Sequence, residues 1–378
     1  MNLEPTRRLA DLAVSSVLDG MPSPAVIVDE LAVEQNLAVT LAAMATPDRW
    51  RAHFKTARTA WAVRRLLTHN VTRFKASTVG ELRFLLASGA RDVLLAHPAV
   101  GPAQREVAAL AARFPDAMLS VLVDSVEGAS LWEAPMNVVI DIDTGMGRTG
   151  VPVGDHAAVR NLAETLARLG HRLVGVHAYD GNLADLPPVE KQSRVEEELA
   201  SIDDLVRELT DAGHPVHEVV LGGSHTFLEI LASWPATSWS ERLTLGPGTV
   251  LYNDVRSLER FARAAKPASY IPAAAVHARV VSRGTGTVTV DAGLTAIQVD
   301  AGRPHAVAIS PPHLSVRSVS QEHLVLACDA GPVPAIGDSV LLLPRHIDTA
   351  VAQFSCLYRL GPDQEVVREP VAAAHPDQ

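Results

Sequence analysis

Asn137-Val138-Val139-Ile140-Asp141-Ile142-Asp143-Thr144-Gly145-Met146-Gly147-Arg148-Thr149-Gly150 is the stretch whose reading decides the fold. Its first half is a nearly continuous Val/Ile run, as expected of a parallel strand covered on both faces. Its second half is a glycine-punctuated loop carrying one arginine. A helical stretch follows at Asp155–Leu169, with apolar residues at helical spacing and charges interleaved. The same unit recurs outward in both directions. Trp50–Lys55, Arg73–Ser77, Asp92–His97, Leu119–Asp124, Leu173–Tyr179, Glu218–Gly223 and Leu243–Thr249 bring the strand candidates to eight. Ala103–Arg113 and Val195–Ala212 have the same helical spacing between strands. Eight such units over about residues 49–250 predict a (β/α)8 TIM-type barrel, with a doubly wound open sheet as the structural alternative.

Beyond about Phe261 the texture changes. Ala274–Ser282, Thr285–Asp291, His323–Cys328 and Ser339–Leu343 are β-rich, with Gly, Pro and Asp between them, which predicts a second, mostly antiparallel β domain. Pro24–Asp29 is a further strand and is assigned to that domain. The expected division is a barrel over 32–260 and a β-rich domain from 1–31 and 261–378.

Composition narrows the function. With 378 residues, 47% of them hydrophobic, the chain can bury a large core. A net charge of −10 argues against nucleic acid or anionic membranes as main partners. No apolar run is long enough to span a bilayer, and Met1–Arg8 is not followed by the apolar core of a signal peptide. Cys328 and Cys356 read as reduced core thiols of a cytoplasmic protein.

In such a barrel, functional residues collect at the C-terminal strand ends. The first strand ends at Lys55, where loss of hydration would lower the amine's pKa and free it to form a Schiff base. The fifth strand runs into the Arg148 loop, and the sixth ends at His177-Ala178-Tyr179-Asp180-Gly181. The seventh and eighth end in Gly222-Gly223-Ser224-His225-Thr226 and Gly246-Pro247-Gly248-Thr249. Glycines let backbone N–H groups approach an anion, and hydroxyls add donors, so these two loops together predict a phosphate site.

These residues resemble those of the D-threonine aldolase and D-serine dehydratase group, related to the alanine racemase barrel of fold type III pyridoxal-phosphate enzymes. The resemblance rests on His53-Phe54-Lys55-Thr56, Asp143 to Gly150, Ala178-Tyr179-Asp180-Gly181 and the loops at 222–226 and 247–248. It continues through Asp291-Ala292-Gly293-Leu294, Glu322-His323 and Pro344-Arg345-His346-Ile347-Asp348-Thr349. It implies pyridoxal 5'-phosphate with Lys55 as the Schiff-base lysine, His53 beside it, Arg148 near the phenolic oxygen and Tyr179 against the ring. Gly222, Gly223, Ser224, His225, Thr226, Gly248 and Thr249 would form the phosphate cradle.

His346 and Asp348 are two residues apart after the strand-like Leu341-Leu342-Leu343. On extended backbone, such residues point to one side and can share a divalent cation. Imidazole plus carboxylate suits manganese, magnesium or cobalt better than zinc. In the family, His-x-Asp resembles the aldolases and His-x-Cys the dehydratases. The resemblance therefore implies a lyase that cleaves a D-3-hydroxy amino acid to glycine and an aldehyde through an external aldimine. A dehydratase of the same substrates is the alternative, and a non-catalytic pyridoxal-phosphate-binding protein is a second. Aldolases commonly carry histidines just after the Tyr-x-Gly segment, whereas Asn182 and Asp185 stand there in this chain. Asp185 is the candidate base or partner of a metal-bound water. Family members are usually homodimers, and that is the expected state.

Overall fold

The computed structural model describes residues 9–11, 16–233, 239–264 and 268–373; no helix among them is long and apolar enough to cross a membrane. In chain order the strands are β1 (Ala25–Asp29), β2 (Arg51–His53), β3 (Arg73–Ala76), β4 (Asp92–Leu95), β5 (Met118–Val123) and β6 (Asn137–Asp143). There follow β7 (Val151–Pro152), β8 (Arg172–Ala178), β9 (Glu218–Leu221), β10 (Leu243–Leu245), β11 (Ala274–Gly284) and β12 (Thr287–Val290). The last are β13 (Ala306–Ser310), β14 (Leu314–Val319), β15 (Leu324–Cys328), β16 (Ser339–Pro344), β17 (Cys356–Leu360) and β18 (Val366–Pro370).

The eight expected barrel strands are β2 to β6 and β8 to β10, and each runs parallel to the next around one sheet. A parallel bridge between Trp50 and Leu245 brings the last strand back to the first. The Trp50 indole N–H donates to the Pro247 carbonyl at 2.9 Å across the same seam. The barrel is thus nearly closed, and the open doubly wound alternative does not apply. Helix starts are fixed locally. Thr59, Thr78, Ser125, Asp155 and Asp254 each accept a hydrogen bond from a backbone N–H in the first turn of the helix they precede.

Inside, Leu94, Leu122, Val139, Val174 and Val220 form a small apolar cluster from five different strands. Below it, at the N-terminal strand ends, Arg51 is fully buried and spans the barrel. Its guanidinium donates to Glu218 at 2.9 and 2.8 Å and to Asp92 at 2.8 Å. A buried cation needs this kind of pairing.

The second sheet is ordered β14-β15-β12-β11-β1-β17-β18, with β16 on β11 and β13 on β16. All its pairings are antiparallel except β1 with β17. The early strand β1 lies between β11 and β17. After β16 the chain turns into a short helix, Ile347–Val351, that descends to the barrel mouth. Asp254, which caps the helix Val255–Arg263 after the last barrel strand, also accepts from the Ile347 N–H at 3.1 Å. One carboxylate thereby ties the β domain to the mouth.

Candidate active site

A cavity of about 310 Å³ opens at the C-terminal strand ends and is lined by Lys55, Lys75, Arg148, Tyr179, His346 and Asp348 among others. Lys55 lies two residues beyond β2, with its Nζ 3.5 Å from Asp348 Oδ2. Burial works to lower its pKa, but the Asp348 carboxylate, with a smaller contribution from Tyr179, outweighs it and holds the amine above its ordinary value. The expectation that desolvation leaves Lys55 with a lowered pKa is therefore corrected. A carboxylate from the other domain sets its charge.

Asp348 is 7% exposed and held from several sides. Thr56 Oγ1 donates to its Oδ1 at 2.8 Å and Thr249 Oγ1 at 3.0 Å. Burial would raise its pKa, yet Lys55, His346 and the two hydroxyls keep it below the usual carboxylate range. His346 Nε2 stands 4.0 Å from Asp348 Oδ2, and its Nδ1 is bonded to Asp300. The two side chains do converge, though not by strand alternation. β16 ends at Pro344, His346 caps the next helix in an extended conformation, and Asp348 occupies that helix's first turn. No group of three or more His, Cys, Asp or Glu placed to hold a metal occurs among the described residues, so this pair fits one divalent cation only with water and substrate as the remaining ligands. An imidazole nitrogen and a carboxylate oxygen line one cavity, and Asp300 fixes the outer ring nitrogen as a partner of a metal-ligating histidine does.

The loop after β6 is shaped by Asp143, whose carboxylate accepts from the Gly145 and Gly147 N–H groups at 2.9 and 3.0 Å. Gly150 has φ +107, and a Cβ there would lie 2.6 Å from the Asp143 nitrogen, so only glycine closes the loop. Arg148 is carried over the Tyr179 ring, 4.8 Å from its centroid. Tyr179 meets the His225 ring edge-on at 5.4 Å, and the His225 Nε2 lies 3.2 Å from the Asp180 carboxylate.

The loops after β9 and β10 meet at Ser224, whose Oγ accepts from the Gly248 and Thr249 N–H groups at 3.1 and 3.0 Å. A Cβ at Gly248 would sit 2.5 Å from the His53 carbonyl oxygen, so only glycine lets the loop after β10 pack this closely on β2. Ser224 Oγ and the Gly248 and Thr249 amides that converge on it are the groups a phosphate would draw on, the Thr249 hydroxyl being committed to Asp348, and in this way the residues present fit pyridoxal phosphate. Gly223, His225, Gly248 and His53 line the cavity with them. Gly222 and Thr226 lie behind that wall, where Thr226 Oγ1 accepts from the Gly223 N–H at 3.3 Å. His53 is pushed well below the ordinary histidine value by burial and then by Lys75, and its Nδ1 is buried without a partner.

Asp185 is not brought to this cavity. Its carboxylate is 66% exposed; burial works to raise its pKa, but the bonds to Arg256 and Arg260 and their two charges together outweigh it and hold it at about 2. It borders a second cavity of about 390 Å³ that shares Ala184, Arg256 and Arg260 with the first. A carboxylate already bonded to two guanidiniums is a poor proton acceptor, which corrects the expectation that Asp185 is the base.

Lys75 went unread in the sequence although Arg73–Ser77 was expected as a strand. It is 2% exposed, lies within β3 in register with His53, and lines the cavity. The signal that singled out Lys55, a lysine near a barrel strand end, was present here too.

Comparison with known proteins places this geometry. The model of the alanine racemase N-terminal domain matches residues 28–254, more than half of the chain, and that of a putative serine dehydratase domain matches residues 273–360. The D-threo-3-hydroxyaspartate dehydratase of Delftia sp. strain HT23 is 26% identical over 375 residues, covering 92% of this chain and 96% of that protein. Its structure matches with a TM-score of 0.79 over 94% of this chain and 99% of that one. The D-threonine aldolase of Filomicrobium marinum matches with a TM-score of 0.82 at 24% identity, over 94% and 97% of the two chains. From the barrel, the β domain that follows it and these matches, the chain belongs to the alanine racemase N-terminal domain family, within the fold type III pyridoxal-phosphate enzymes.

Proposed function

We propose that this protein is a pyridoxal-phosphate- and divalent-metal-dependent lyase of D-3-hydroxy amino acids, cleaving them to glycine and an aldehyde. The observation that carries the reading is the meeting of Lys55 with Asp348 at 3.5 Å and of Asp348 with His346 at 4.0 Å. An amine suited to hold the cofactor and a ligand pair suited to hold a cation face one cavity from two domains. The relatives lend support, since one is described as an aldolase and another as a dehydratase acting on a 3-hydroxy amino acid. A cysteine-to-alanine mutant of that dehydratase is described in a metal-free form.

When bound, the cofactor supplies an electron sink and the cation a charge that lowers the pKa of a β-hydroxyl. The chain's own residues do the rest. Lys55 would anchor the cofactor through Nζ and, as the free amine, holds a proton there beside Asp348. Arg148 and Tyr179 close one side of the site, and Ser224 with the Gly248 and Thr249 amides would hold the phosphate end. His346, oriented by Asp300, and Asp348, oriented by Thr56 and Thr249, would hold the cation against the substrate's hydroxyl.

Elimination of the hydroxyl, giving a keto acid and ammonia, is the second reading, favoured by the dehydratase among the relatives. The His-x-Asp pair leans to cleavage by its resemblance to the aldolases, where the dehydratases carry His-x-Cys, and a carboxylate in place of a thiolate separately suits manganese, magnesium or cobalt. Incubating the purified protein with a panel of D-3-hydroxy amino acids and separating the products decides between them. Glycine plus aldehyde is expected. Keto acid plus ammonia would replace cleavage by elimination, and no turnover with or without added divalent metal would remove the lyase reading.

A further inference from the structure

Arg51 and Lys75 are both buried basic side chains inside the barrel, and they are treated differently. Arg51 is bonded to two carboxylates. Lys75, among the described residues, has neither a hydrogen bond nor an ion pair on Nζ. A structural lysine at that depth is normally held by a carboxylate, because an uncompensated amine loses its hydration with no return. Burial, reinforced by Lys55, accordingly lowers the Lys75 pKa to about 7.

Its position is specific. Lys75 stands in register with His53 on the neighbouring strand, and its side chain crosses to the base of the loop after β10. A Cβ on Gly246 would lie 2.6 Å from its Nζ and 3.1 Å from the Gly222 carbonyl oxygen. The amine therefore fills the space that a side chain at Gly246 would take, at the foot of both cradle loops. It lines the cavity with Lys55, Tyr179 and Gly223. The cradle itself, apart from His225, offers only backbone amides and hydroxyls.

We propose that Lys75 is a cofactor-binding residue, its amine donating to an acceptor of bound pyridoxal phosphate, either a phosphate oxygen or the ring nitrogen. The inference rests on the pyridoxal-phosphate reading above. It gives the unpartnered amine an acceptor and sets a lysine at the foot of the cradle loops. Bound anion would also restore the ammonium form of Lys75 by linkage.

The test titrates the full-length protein and its Lys75→Met variant with pyridoxal phosphate and with pyridoxal, read by Schiff-base absorbance. Thermal melts are recorded with and without cofactor. The expected result is at least tenfold weaker binding of pyridoxal phosphate by the variant, with a cofactor-free melting temperature equal to or above that of wild type. A loss confined to pyridoxal phosphate assigns the amine to the phosphate, and an equal loss with pyridoxal assigns it to the ring. Unchanged affinity for both ligands would overturn the proposal. So would weaker binding accompanied by a lowered cofactor-free melting temperature, because that is the mark of a structural lysine. Wild-type protein that binds neither ligand would instead overturn the pyridoxal-phosphate reading itself.

Discussion

Lys55, just beyond the end of β2, and Lys75, on the neighbouring strand β3, face one cavity, yet their surroundings drive them apart. Lys55 has the Asp348 carboxylate 3.5 Å from its amine and is held above the ordinary lysine value. Lys75 has no such partner, and burial brings it to about 7. Depth in the barrel does not by itself decide the charge of an amine. What decides it is whether a second domain delivers a carboxylate, and the descent of Ile347–Val351 to the barrel mouth does so for Lys55 alone.

The comparison breaks most visibly at Lys55. Replacing it with alanine should abolish the Schiff-base absorbance and lower turnover by roughly three orders of magnitude or more, measured with any accepted substrate. The metal pair comes next. His346→Ala and Asp348→Ala should each lower activity on the order of 10²-fold or more, with recovery by excess metal at best partial. Asp300→Asn, which leaves both ligands but loosens His346, should weaken metal affinity about tenfold, read by metal titration of activity.

Lys75→Met sharpens the contrast from the stability side. With a folded pKa of about 7 against an ordinary value of 10.5, the unfolded chain binds the extra proton between those pH values. Stability of the cofactor-free wild type therefore rises with pH across that window, and the burden of Lys75 is fully present below about pH 7. The variant should be stabilised relative to wild type by roughly 2–4 kcal/mol near pH 7, with the gain shrinking towards pH 10, in denaturant titrations. The smallest effect belongs to Asp185→Asn. Because that carboxylate faces Arg256 and Arg260, activity should stay within about threefold of wild type. A hundredfold loss would return Asp185 to the list of bases.

Much of the architecture was legible because barrel strands are short apolar runs punctuated by glycine and by helix caps. Asn137–Asp143 was read to the residue, whereas Trp50–Lys55 and Leu243–Thr249 shrink to Arg51–His53 and Leu243–Leu245 as their ends turn into site loops. β7, β13, β14, β17 and β18 escaped. β14, Leu-Ser-Val-Arg-Ser-Val, is largely exposed and lacks an apolar run, and β18 ends in a proline that only an edge tolerates. The His346 and Asp348 spacing was readable, but the helix cap that makes them converge was not. Lys75 was hidden for a different reason. Phe74 and Ala76 on one face and Lys75 on the other are all buried, so no pattern of polarity tells which face points into the barrel. Only closure of the barrel settles that.

The account stands on Lys55 as the residue that holds the cofactor, and one measurement reaches it directly. Holoprotein reduced with borohydride and digested should yield a single pyridoxyl-labelled peptide, with the label on Lys55. A label on Lys75, or no label on any lysine of a protein that retains the cofactor, would contradict it.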